Sequence, residues 1–254
     1  MTPTDTEIQW VFPQDQWKSE TQKYVARIAA LNVISSTVKD QLARFPGLLS
    51  YCPSRSTAVK HRTLIFANQS LASAQELVGS IQLLWANGHL LAAAHCVRLL
   101  FEVWASLLFA QLQVLRVVAE GGDAEAADEL LQRLLLGTNS APLLPAGIQE
   151  QIKVVQVRKF KETGGDAAPG FKDTYGFLCD ISHPTYMHSF FHFIRYDFQW
   201  SNPLGAKEMH RILDQVTSAA EQAVVGTQAA IIEIYTECIP AIEAETARKN
   251  VPNA

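Results

Sequence analysis

An all-α fold, a helical bundle around a long antiparallel hairpin, is what this sequence predicts, on three observations. Apolar residues recur at three- and four-residue steps over several long stretches. No stretch alternates apolar and polar residues as a half-buried strand would. Gly, Pro and Asn interrupt the helical pattern only at wide intervals, so the helices are long. The 254 residues read as one bundle domain over 14–245, between a flexible arm at 1–13 and a polar tail at 246–254.

Composition narrows the function classes. Hydrophobic residues make up 48% and charged residues 18%, and the net charge is −4, which argues against broad non-specific binding to nucleic acid while leaving room for a local basic patch. Cys52, Cys96, Cys179 and Cys238 are far apart and form no CxxC pair, which points away from zinc or disulfides and toward reduced thiols in the cytoplasm. The first residues carry acids and prolines where a secretion signal would have basic residues and an apolar run. A membrane span is not expected either, because the greasiest stretch would put His95, Arg98 and Glu102 at mid-bilayer.

Taken in order, Gln14 to Arg44 predicts a first helix, with Trp17, Tyr24, Ile28, Leu31, Val38 and Leu42 on one face and Pro46-Gly47 as its stop. A second runs over about 57–86. Asn87-Gly88 suits a left-handed cap, and a third helix follows over about 90–119; so short a link makes the two antiparallel neighbours. Asp123 is the expected N-cap of a short helix through Leu136, and further helices are expected over about 148–161 and from Lys172 to the break at Pro184. The segment 162–170 reads as a surface connection. An aromatic and histidine-rich segment spans 185–200, and a last long helix runs over about 206–243.

The third helix is apolar on nearly every side, yet His95, Arg98 and Glu102 fall within roughly 60° of arc on it. A polar stripe on a buried helix needs partners, so it either holds the core in register or lines a site. A second group is Asp180, Ser182, His183, His188, His192 and Arg195. His188 and His192 have metal-ligand spacing, but no HExxH accompanies them, and no metal or other cofactor is expected. His183 precedes Pro184, which disfavours helix in the residue before it and leaves His183 at a helix end. Two small basic clusters, Arg55, Lys60, His61 and Arg62, and Lys153, Arg158, Lys159 and Lys161, would make a modest RNA track if both flanked one cleft.

A small-residue turn followed by Ala93, Arg98 and Glu102, and later Tyr175, Leu178, Cys179 and His183-Pro184, resembles a set of poorly characterised bacterial helical proteins similar to the HEPN superfamily. The resemblance covers roughly 62–200. Cys179 stands where that pattern carries Ser, and the one literal Arg-x(4–6)-His match, Arg55 to His61, arises by chance in a chain of this composition. The resemblance implies a nucleic-acid-associated helical protein of a bacterial defence or toxin–antitoxin system, a homodimer with RNA or a protein of that system as partner.

Within it, a metal-independent ribonuclease would centre on Arg98, Glu102 and His183, with His95, Tyr175, Asp180, His188 and His192 as accessories. Histidine titrates near neutrality and arginine holds phosphorane charge with a planar fork. The same residues equally make a hydrogen-bonded core lock, in which case the protein is a non-catalytic interaction or oligomerisation subunit. A third reading is a metal-dependent helical enzyme using His188, His192, Glu102 and Asp180.

Overall fold

The structure, a computed structural model, describes residues 14–32, 55–119, 124–136, 147, 151–153, 171–182 and 203–249. All the regular elements among them are helical: α1 (Gln14–Ala29), α2 (Arg55–Ala86), α3 (Leu90–Ala119), α4 (Ala124–Leu136), α5 (Phe171–Ser182), α6 (Pro203–Glu233), a π-helical turn (Ile234–Cys238) and α7 (Ile239–Lys249). The all-α class is as the sequence predicts.

The hairpin is made by its turn. Gly88 takes φ 75°, a region open to glycine at little cost, and sits just past the end of α2. The His89 amide donates to the Leu84 carbonyl at 2.8 Å and the Gly88 amide to that of Trp85 at 3.0 Å, the paired bonds of a Schellman cap. The His89 carbonyl then accepts from Ala93, so α3 starts one residue after α2 is closed.

The centre of the bundle is α3. It lies against α2, α4, α5 and α6, and Val97, Leu100, Phe101, Ala105 and Leu107 are all 0% exposed. Leu90–Arg116 is also the one segment among the described residues long and apolar enough to cross a membrane, with a mean hydropathy of 1.5. Of its most apolar window 44% is buried against the rest of the bundle. Gly226 permits one close approach: a Cβ there would overlap the Trp104 indole, so α6 seats on α3 only because the side chain is absent.

Two boundaries differ from the sequence expectation. The first helix ends at Ala29, not Arg44. The Gln82 side-chain amide of α2 donates to the carbonyls of Ile28, Ala29 and Leu31 at 3.2, 3.2 and 3.0 Å, taking acceptors that the next turn would have used. The remainder of the expected helix, from residue 33, lies outside the described residues. The last helix runs on to Lys249 and is interrupted by the π turn, where the Ile239 amide bonds the Ile234 carbonyl five residues back. Pro240 supplies the cause, since it has no N–H and its ring crowds the carbonyl four residues before it.

Candidate functional site

Arg98 and Glu102 lie one turn apart on α3, and the Arg98 Nε donates to Glu102 Oε1 at 3.1 Å. Their side chains are 20% and 21% exposed, so the pair is half-buried, as its apolar flanks predict. The third member comes from α5: the Tyr175 hydroxyl donates to the same Glu102 Oε1 at 2.9 Å. Burial, then the Glu102 carboxylate, push the Tyr175 pKa well up and keep it a proton donor. Glu102 is therefore the hub, one oxygen holding a cation and a phenol from two helices.

The position of α5 follows from its first residue. Phe171 is buried and meets Phe101 at a ring-centroid distance of 4.6 Å and Trp104 at 4.8 Å, while Phe101 and Trp104 meet edge-on at 5.1 Å. That triangle pins the start of α5 to α3. Four residues later the same face delivers Tyr175 to Glu102.

The other candidates fall differently. His95 shares the polar stripe, but its Nδ1–H donates to the Leu91 carbonyl of its own helix at 3.3 Å. Asp180 is on the exposed face of α5. Helix α5 is described as far as Ser182; His183, His188 and His192, and the break expected at Pro184, lie outside the described residues. No three His, Cys, Asp or Glu side chains among the described residues are grouped to hold a metal ion. The first basic cluster is drawn into the fold, because Lys60 pairs with Glu243 of α7 and Arg62 with Asp128 of α4.

Beside the hub lies an open cleft of about 680 Å³ between α2 and α3, with Leu134 and Gln151 at its edge. Glu102 lines it with Glu76, Ser70, Ser73, Ser80 and Ser106, and Phe66, Leu77, Leu99 and Val103 supply an apolar wall. The Ser106 hydroxyl donates to Gln151 Oε1 at 2.6 Å and closes one end. This cleft and the role of Tyr175 as a second donor to Glu102 were not foreseen from the sequence. The available signal was Ser70, Ser73 and Ser80, small residues that share one face of α2 with Leu77 at helical spacing.

No protein-family model matches the chain, and no curated protein or solved structure matches it.

Proposed function

We propose that the chain is a HEPN-like helical protein acting as a non-catalytic interaction and oligomerisation subunit, a cytoplasmic homodimer in which the Arg98–Glu102–Tyr175 set fixes helix positions. One observation carries this reading: Glu102 Oε1 accepts from both Arg98 and Tyr175. A carboxylate so engaged with the protein's own donors is suited to holding helices together, and the Arg98 guanidinium beside it already has a counter-charge. Two further facts favour it over RNA chemistry. Lys60 and Arg62 are paired with acids, and among the described residues the neighbouring cleft is lined by Glu76 and Glu102 with no Lys, Arg or His.

A second reading, a metal-independent ribonuclease or RNA-binding protein of a bacterial defence or toxin–antitoxin system, has its own support. The helix that brings Tyr175 to Glu102 is described up to Ser182, next in sequence to His183. A mixed RNA pool incubated with the wild-type protein, Arg98→Ala and His183→Ala separates the two, beside light scattering to give the oligomeric state. Intact RNA with all three proteins, and a dimer mass, are the expected outcomes. Cleavage by the wild type that both variants lose would establish the ribonuclease instead.

A further inference from the structure

We propose that the α2–α3 cleft binds a small organic cation, an ammonium group on a short apolar body. A volume of about 680 Å³ lies in the range of small-molecule sites, and the open cleft sets a mainly polar lining against an apolar wall of Phe66, Leu77, Leu99 and Val103. Among the described residues the polar lining is of one sign: two carboxylates, Glu76 and Glu102, four serine hydroxyls and two carboxamides, without one Lys, Arg or His. Glu102 is offset by Arg98. Glu76 has no ion pair or hydrogen bond among the described residues and leaves a net negative charge at the exposed side of the cleft.

The second observation is independent of charge. Ser70 is 8% exposed, lines the cleft, and its hydroxyl has no hydrogen-bond partner among the described residues. The Ser70 hydroxyl opens on the cleft, whereas a helical hydroxyl can instead bond the carbonyl one turn back, as Thr63 does to Val59 at 2.8 Å. Ser70 makes no such bond, so its oxygen is left to accept from a ligand N–H.

The apolar wall decides the class of cation. Phe66, Leu77 and Val103 line the cleft, and Leu99 beside them is 43% exposed, a surface that suits an alkyl chain and that a hydrated metal ion would not use. Anions, RNA phosphates included, meet the uncompensated Glu76. The ligand therefore places its ammonium between Glu76 and the serines and its apolar body against Leu99 and Val103.

Titration calorimetry of the full chain with n-hexylamine, 1-hexanol and hexanoate tests this. Hexylamine is expected to bind, the alcohol about tenfold more weakly or less, and hexanoate not at all. Glu76→Gln should weaken hexylamine about tenfold and leave the alcohol unchanged. Ser73→Leu, at an exposed position, should block hexylamine by filling the cleft while the melting temperature stays that of the wild type. Equal affinity for amine and alcohol, hexylamine binding indifferent to Glu76→Gln, or no hexylamine binding at millimolar concentration each overturns the proposal. Cleaved RNA in the nuclease assay would overturn the non-catalytic reading and leave this one standing, since it rests on the cleft alone.

Discussion

Removing the Glu102 carboxylate takes an acceptor from two donors at once, the Arg98 guanidinium on a side chain 20% exposed and the Tyr175 hydroxyl on a residue 5% exposed. An exposed i,i+4 pair contributes a few tenths of a kcal/mol, but a half-buried carboxylate shared by a guanidinium and a phenol contributes more. Glu102→Ala should therefore cost about 2–3 kcal/mol, and Tyr175→Phe, which removes one hydroxyl, about 1 kcal/mol. In a double-mutant cycle the two should be less than additive, since both act on one oxygen. The Tyr175 term also has a pH signature. Its folded pKa is raised above the ordinary 10.0, so its stabilisation is fully present below pH 10 and is lost as the pH rises further, because the unfolded chain ionises first. Urea titrations of wild type and Tyr175→Phe at pH 7 and pH 11 should show the gap between them narrowing at the higher pH. A gap of the same size at both would detach Tyr175 from the hub.

At the scale of single helices, α1 shows how a docking contact becomes a pH dependence. Arg27, in its last turn, reaches α6: Nε and Nη2 grip Glu221 at 2.8 and 2.6 Å, and Nη1 bonds Asp214 at 2.9 Å. The Arg27 guanidinium holds the Glu221 pKa below its ordinary 4.5. A depressed carboxylate stabilises the fold above its unfolded pKa, and the contribution fades as the pH falls through 4.5 and below. The Glu221 side chain is 38% exposed, so solvent screens the pair and the effect is a small one. Thermal melts of wild type and Arg27→Gln should differ at pH 7 and converge near pH 3, and a constant difference would show that Arg27 acts through packing alone. The end of α1 also marks what local sequence conceals. Apolar spacing continues through Leu31 to Leu42, so the pattern predicts an unbroken helix, while the group that closes it, the Gln82 amide, lies more than fifty residues along the chain. By contrast Asn87-Gly88 and Pro240 act on their own backbone, and their signals could be read locally: the hairpin turn was predicted on its residue, and the π turn has its cause in sequence although it was not anticipated.

In the molecule as a whole, the legible part was the skeleton and the obscured part was the pairing. Helical periodicity and the absence of alternation were enough for the all-α class and for α3 as the central helix, because both express which surfaces must leave water. That Arg98 and Glu102 would be half-buried followed from their flanks; that Glu102 would be shared with Tyr175 depended on how the Phe101–Trp104–Phe171 triangle sets α5 against α3, which no spacing encodes. The same triangle links α6 to α5 through α3. Gly226 of α6 touches Trp104 on one side of α3, and Trp104 touches Phe171 of α5. Gly226→Ala would drive a methyl into the indole, and because close-packed interiors yield little, the ring must turn toward Phe171 or α6 must withdraw. Such overpacking costs about 1–3 kcal/mol, or about 2–4 °C of melting temperature per kcal/mol in a domain of this size. Trp104→Phe in the same chain shortens the ring and should restore much of that loss, although alone it is destabilising. Melting temperatures of the two single variants and the double variant decide the matter: a double variant no better than the sum of the singles would mean that α6 and α5 are not coupled through Trp104.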